Sequence, residues 1–305
     1  MENNKQLLWP QGILVALFAL SVSLSVGLMM LVKPNTSDAQ IRQSLNANTI
    51  PVPAAKIGTQ RRIEGLKEIM LTSWQQQAQV KGFSYALSPH FQGATIKSAQ
   101  LSQGQKVIAL TFDDGPWPES TAQVLDILKQ NNIKGTFFVV GQNIKNYPDL
   151  LKRVAAEGHV IGNHTWHHRY HFMNAQVAAY EVANTTDLIY KVAGVKTNLF
   201  RPPGGIMTNG VANYARNSKY AIIMWSSDSI DYSQPRVPNL INNVFRSAKP
   251  GGIVLMHDGG GDRSQTVQAL PEIIAKFRNQ GYGFVTVPEL LEMQDKDQKR
   301  IANKK

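Results

Sequence analysis

The hydrophobic pattern of the chain changes twice along its length. Residues 12–32 form a run of 21 uncharged positions rich in Leu, Val, Ala and Met, long enough to cross a bilayer hydrocarbon core as one helix. Residues 33–97 are polar, with Pro34, Pro51 and Pro53 early on. Within them Ile63, Leu66, Ile69, Met70 and Trp74 recur at helical spacing, which predicts one amphipathic helix over 61–80. From Lys106 onward, short apolar runs alternate with helical stretches. Residues 107–112, 135–140, 160–163, 199–201, 221–225, 253–256 and 283–287 read as buried strands, and 122–128, 150–156, 177–192 and 267–277 as helices between them. Such alternation predicts a parallel sheet with helices outside it. A distorted, nearly closed (β/α) barrel fits better than a doubly wound sheet, because polar residues recur just after the strands, where such barrels place their sites.

The short segment before the apolar run carries only Lys5 and the α-amino group against Glu2, and no A-x-A pattern follows it. The run therefore reads as an uncleaved signal anchor, with cleavage near Asp38, Ala39 and Gln40 as the alternative. Positive residues lie on both of its sides, so charge does not set its orientation. The formal charge of +11 falls largely after that run, at Lys33, Arg42, Lys56, Arg61 and Arg62, and in the tail, at Lys296, Lys299, Arg300, Lys304 and Lys305. No nucleic-acid motif accompanies it, so the surplus reads as solvated surface and no nucleic-acid partner is expected. The chain has no cysteine, which excludes disulfides, thiolate nucleophiles and Cys-ligated zinc. Any metal must be held by His, Asp or Glu.

Five strand ends carry chemistry. Asp113 and Asp114 follow the strand 107–112, with Gly115 and Pro116 shaping the exit. Adjacent carboxylates there point different ways, so one can ligate a cation while the other meets a substrate. Next, four of the seven histidines fall within the eight residues 164–171. Both His164/His168 and His167/His171 have the i, i+4 spacing that suits two imidazoles on one metal, so spacing alone leaves both open. Two His and one Asp form a three-ligand site with positions left open for water and substrate. Arg201 then ends the strand 199–201, Asp228 and Asp231 follow 221–225, and His257 follows 253–256. A salt bridge, a helix cap or a packed imidazole would explain each of these alone; all of them at one barrel face would be a coincidence.

The ordered set TFDDGP, HTWHH, RPPGG, DSIDY and LMHD resembles the five motifs of the polysaccharide deacetylases, carbohydrate esterase family four, also called the NodB homology domain. The likeness runs from about 106 to about 290. It implies a distorted (β/α) barrel that hydrolyses N-acetyl groups on sugars such as N-acetylglucosamine. It also implies roles, residue by residue. Asp113 would be the general base and His257 the general acid, with Arg201 paired to Asp113 and Asp231 orienting His257. Asp114, His164 and His168 would bind one divalent cation, with zinc expected and cobalt, nickel or manganese as alternatives. The family pattern H-[ST]-x-x-H needs Thr165 after the first histidine, which selects His164/His168. Leu255, Pro203, Gly204 and Tyr232 would line the substrate groove. Two departures bear on substrate fit: Gly204 stands where many members carry an aromatic residue, and Tyr232 replaces a tryptophan.

The resulting expectation is a short tail (1–11), a transmembrane anchor (12–32), a stalk (33–97), a catalytic domain (98–295) and a basic tail (296–305). A polymer substrate outside the cytoplasm would put the catalytic domain outside the cell membrane. An O-acetyl esterase on xylan-like polymers and a tethered glycan-binding protein without turnover are the competing readings.

Overall fold

The computed structural model describes residues 83–84, 87–102 and 104–303. The expected span 12–32 and the helix expected over 61–80 lie outside the described residues. Among the described residues no helix is long and apolar enough to cross a membrane.

In chain order the elements are β1 (Phe83–Ser84), β2 (Thr95–Ile96), β3 (Val107–Asp113), α1 (Ser120–Gln130), β4 (Thr136–Val139), α2 (Gly141–Asn146), α3 (Pro148–Ala156) and β5 (Val160–Asn163). Then come α4 (Ala175–Ala193), β6 (Val195–Lys196), β7 (Leu199–Phe200), α5 (Val211–Asn217), β8 (Ala221–Ile223), β9 (Ser227–Asp228), α6 (Val237–Ser247), β10 (Gly252–His257), α7 (Ser264–Asn279), β11 (Gly283–Phe284) and α8 (Val287–Ala302). The main sheet runs β2-β8-β7-β5-β4-β3-β10-β9, with β11 on the start of β3, and β1 pairs separately with β6. Its ladders are all parallel. The chain itself shows that this sheet curls. β8 lies next to one edge and β9 at the other, yet only residues 224–226 join them. Just past β2, Ser98 makes an antiparallel bridge to Gly252 at the start of β10, so the two edges approach each other and the sheet forms an incomplete barrel.

The period of two along the strands sorts the core into two layers. Ile108, Leu110 and Phe112 of β3 point outward to Leu125 and Leu128 of α1 and Leu270 and Ile274 of α7. Ala109 points inward with Phe138, Val160, Leu199, Ile223 and Ile253, and this inner layer is completed by Val287, Leu290 and Leu291 of α8. Each such fully buried aliphatic or aromatic side chain contributes about 1.5–3 kcal/mol.

All the strands expected from the pattern form; 160–163 keeps its expected ends and the others shift theirs. The run 283–287 stops at Phe284 because a helix start intervenes. Thr286 and Glu289 form a capping box, and Pro288 occupies the first turn, which commits Val287 to α8. Two expected boundaries move as well. The sheet takes in Thr95 and Ile96, which the sequence reading placed in the stalk. At the other end, α8 crosses 295/296 and continues to Ala302, so most of the expected basic tail is helical. Lys296 and Lys299 there pair with Glu292 and Asp295 one turn back, each at 2.6 Å, and Asp297 accepts a hydrogen bond from Ser102 N at 2.7 Å.

Candidate active site

A cleft of about 660 Å³ opens at the carboxyl ends of the strands. Strand register puts its two central groups side by side. In the parallel pair β3–β10, His257 stands opposite Asp113, so an imidazole and a carboxylate far apart in sequence become neighbours. Leu255, opposite Thr111 in the same ladder, lines the cleft and is buried.

Behind Asp113 lies Arg201, fully buried at the end of β7. A buried guanidinium needs acceptors for its donors, and every nitrogen of this one has at least one. It donates to Asp113 Oδ1 at 2.7 Å, Thr111 Oγ1 at 2.9 Å, Ile223 O at 2.9 Å and Met224 O at 3.2 Å, and stacks on Phe138 at 4.1 Å. Burial pulls its pKa below the ordinary value, and the Asp113 charge opposes that fall. Because Asp113 Oδ1 is engaged, Oδ2 is the oxygen nearer the histidine loop, 3.6 Å from His164 Nε2.

Asp114 turns the other way because its backbone is in the left-handed region, at φ 74°. Thr165 (φ 69°) and His168 (φ 56°) share that conformation, which costs non-glycine residues roughly 1–3 kcal/mol each and marks loops held for a purpose. Asn143 Nδ2 secures the first loop through Asp114 O at 2.7 Å. Gly260 lies so close that an added Cβ would come within 2.6 Å of Asp114 Oδ2, so only glycine leaves that carboxylate its place.

One ligand atom each from Asp114, His164 and His168 lie within 4.8 Å of one another. Asp114 Oδ1 is buried and accepts no hydrogen bond, though His164 Nε2 stands 3.5 Å and His168 Nε2 3.0 Å away. His164 Nδ1 contacts Arg201 O at 2.6 Å; a carbonyl can only accept, so Nδ1 carries the proton and Nε2 presents a lone pair. Lone pairs converging on one point around an unpartnered buried oxygen fit a divalent cation. His167 and His171 stay outside this cluster: His171 is exposed, and His167 Nδ1 is held at 2.6 Å by buried Glu181.

The acid side is built differently. Asp231 is buried and receives His257 Nδ1 at 2.6 Å, His257 N at 2.8 Å and Thr266 Oγ1 at 2.8 Å, which leaves His257 Nε2 for the cleft. Burial works against the charged imidazole, yet the hydrogen bond and charge of Asp231, aided by Asp113 and Asp114, push His257 up to about 9. Tyr232 stands half-exposed beside it, ring centroids 5.9 Å apart.

A family model for polysaccharide deacetylases matches residues 100–223. The chain is 42% identical over 194 residues to a peptidoglycan-N-acetylglucosamine deacetylase of Bacillus cereus, covering 63% of this chain and 91% of the relative. The chain belongs to the polysaccharide deacetylase family. Among other polysaccharide deacetylases, a chitooligosaccharide deacetylase of Azorhizobium caulinodans is 31% identical over 63% of this chain and 98% of its own. A crystal structure of the Bc1960 peptidoglycan N-acetylglucosamine deacetylase with a hydroxamate-type naphthyl benzamide superposes with a TM-score of 0.61 at 35% identity, covering 65% of this chain and 92% of that one.

Of the residues singled out from the sequence of this deacetylase, Asp113, Asp114, His164, His168, Gly204, Tyr232, Leu255 and His257 line the cleft, while Arg201 and Asp231 sit buried behind it. Pro203 departs from expectation: it is buried beneath the turn and does not line the cleft. Asp228 lines the cleft too, accepting Trp225 Nε1 at 3.2 Å and Ile230 N at 2.8 Å, and burial raises its pKa. Thr266 and Glu181 were missed because each acts from a helix remote in sequence from the motif it holds. Tyr170 was missed although it stands inside the histidine run.

Proposed function

We propose that this protein is a metal-dependent N-deacetylase that removes acetyl groups from N-acetylglucosamine-type residues of a cell-wall or extracellular polysaccharide, with peptidoglycan as the leading substrate. The observation that carries this reading is the registered Asp113–His257 pair beside the Asp114–His164–His168 cluster. One carboxylate, one cation site and one proton donor then surround a single acetyl group. Relatives named for peptidoglycan and for chitooligosaccharide support the substrate class.

Asp114, His164 and His168 would hold one divalent cation, and zinc suits a site of two imidazoles and a carboxylate. When bound, that ion supplies Lewis acidity beside the acetyl carbonyl. Asp113 Oδ2 takes a proton from the attacking water as its oxygen adds to the carbonyl carbon. Arg201 fixes the orientation of that carboxylate through Oδ1. His257 Nε2 then gives a proton to the departing nitrogen, the carbon–nitrogen bond breaks, and acetate and a free amine leave. Asp231 keeps that imidazole charged and aimed. Leu255, buried in the cleft wall, offers an apolar contact for the acetyl methyl, and Gly204 and Tyr232 shape the groove.

We further propose that 12–32 anchors the chain in the cell membrane with residues 98–295 on the outer side, where such polymers lie. Protease added to intact spheroplasts should then digest the catalytic domain; complete protection would refute the orientation. The activity is tested by acetate release from peptidoglycan, chitooligosaccharide, poly-N-acetylglucosamine and acetylxylan. Release from the N-acetylated glycans, abolished by chelation and restored by zinc or cobalt, is the expected result. Release from acetylxylan alone would make the chain an O-acetyl esterase, and release from none would leave a glycan-binding protein.

A further inference from the structure

Two half-exposed tyrosines flank the cleft, and only one of them follows from the motifs. Tyr232 stands at His257, while Tyr170 stands at His168 with ring centroids 5.2 Å apart. Both line the cleft and both are 56% exposed. Tyr170 comes two residues after His168 and folds back over the turn that follows β7. There Gly204 has φ 58°, and a Cβ added to it would lie 3.0 Å from Tyr170 Cε1 and 3.4 Å from Cδ1. The ring thus lies on bare backbone and fills the volume a side chain at position 204 would need. Buried Asn209 steadies this stretch of chain, donating to Arg169 O at 3.4 Å.

We propose that Tyr170 is a substrate-binding residue that stacks on the apolar face of a sugar ring at the cation side of the cleft, and that Gly204 lacks a side chain to seat it. A pyranose presents a face of C–H groups, and an aromatic ring resting on protein with its other face open to a cleft is the complementary surface. With Tyr232 at the acid side, the sugar is held from two directions while its acetamido group reaches the centre. The inference rests on the N-deacetylase reading and names the residue that would set glycan affinity.

The test uses the full-length metal-loaded protein and chitotetraose. Tyr170→Ala should raise KM roughly three- to ten-fold, as loss of one aromatic contact does, with kcat within about two-fold. Metal content and the circular dichroism spectrum should match wild type, since the side chain is half-exposed. Tyr170→Phe keeps the ring and should keep the wild-type KM. Gly204→Ala should also raise KM by displacing the ring, and that effect should vanish in the Tyr170→Ala background, a coupling that a double-mutant cycle reads directly. An unchanged KM in Tyr170→Ala, or additive effects of the two substitutions, would overturn the proposal. If wild type releases no acetate, the deacetylase reading fails separately. Calorimetric binding of deacetylated chitotetraose to the same variants then still decides for or against Tyr170.

Discussion

The two histidine–carboxylate groups in the cleft use the same residue types to opposite ends. On the cation side, two Nε2 atoms crowd a buried carboxylate oxygen that accepts no hydrogen bond. On the acid side, one Nδ1 meets a carboxylate that already receives two further donors. An under-satisfied buried carboxylate is costly unless a cation completes it, whereas a fully satisfied one is a fixed negative charge that stabilises its imidazolium. What separates a ligand histidine from an acid histidine is therefore the group that its tied Nδ1 meets, a neutral carbonyl or a charged carboxylate. His164 is tied by Nδ1 to a carbonyl and presents a lone pair; His257 is tied by Nδ1 to a carboxylate and keeps a proton to give.

The largest expected effects come from the adjacent aspartates that divide these two sides. Asp113→Asn should leave metal content at the wild-type level and lower the rate of acetate release by about a hundred- to ten-thousand-fold, the usual worth of a general base. Asp114→Asn should instead weaken metal binding, and added zinc should restore part of its rate. Metal analysis beside acetate release distinguishes the two. An Asp113→Asn protein that binds metal and turns over at the wild-type rate would remove this residue from the proton transfer.

Next in size is a pH effect centred on the acid side. His257 is raised from 6.5 to about 9, so its charged form is stabilised by folding. That contribution to stability is complete below about 6.5 and is lost as pH rises through about 9. Activity should fall over the same range as the proton donor disappears. A bound cation offsets the charge of Asp114, one of the groups raising His257, so the alkaline limb of the loaded enzyme should lie between 6.5 and about 9. Asp231→Asn removes the main support and should move that limb downward by a unit or more, about 1.4 kcal/mol per unit. A limb unmoved by Asp231→Asn would assign the alkaline loss to another group.

Much of this was legible in the sequence because strands and their terminal residues are local features. The apolar runs that became β3, β5 and β10 each delivered their polar ends to one rim, and the motifs named Asp113, His164 and His257. What the sequence concealed is remote support. Thr266 reaches Asp231 from 35 residues away, and Glu181 reaches the histidine loop from 14 residues away, each from a helix facing the core. Short elements were hidden for another reason: β2 and β9 have two residues each, too few to show a period. Pro203 was placed in the groove by its motif, yet the turn it stiffens directs it inward. Tyr170 belongs to no local pattern at all; its place depends on the missing side chain at Gly204.

The smallest expected effects belong to His167 and His171, within the histidine run where two pairs share the i, i+4 spacing, with His168→Ala as the large effect they are set against. His168→Ala should lose metal because its Nε2 is one of the three converging atoms. His171 is exposed and outside the cluster, so His171→Ala should keep metal content and activity within about two-fold, as surface substitutions do. His167→Ala tests a third arrangement, an imidazole tied by Nδ1 to Glu181 much as His257 is tied to Asp231. Glu181 Oε2 also accepts Trp166 N at 2.9 Å and His167 N at 2.8 Å. Those two backbone bonds survive the substitution and keep the loop in place. The variant leaves buried Glu181 Oε1 without this donor, a cost of about 1–3 kcal/mol, and should keep its metal while its thermal midpoint falls by several degrees. Metal loss in His167→Ala or His171→Ala, with retention in His168→Ala, would mean that the other pair holds the cation. The distinction drawn from the tied nitrogens would then fail on the side where it was strongest.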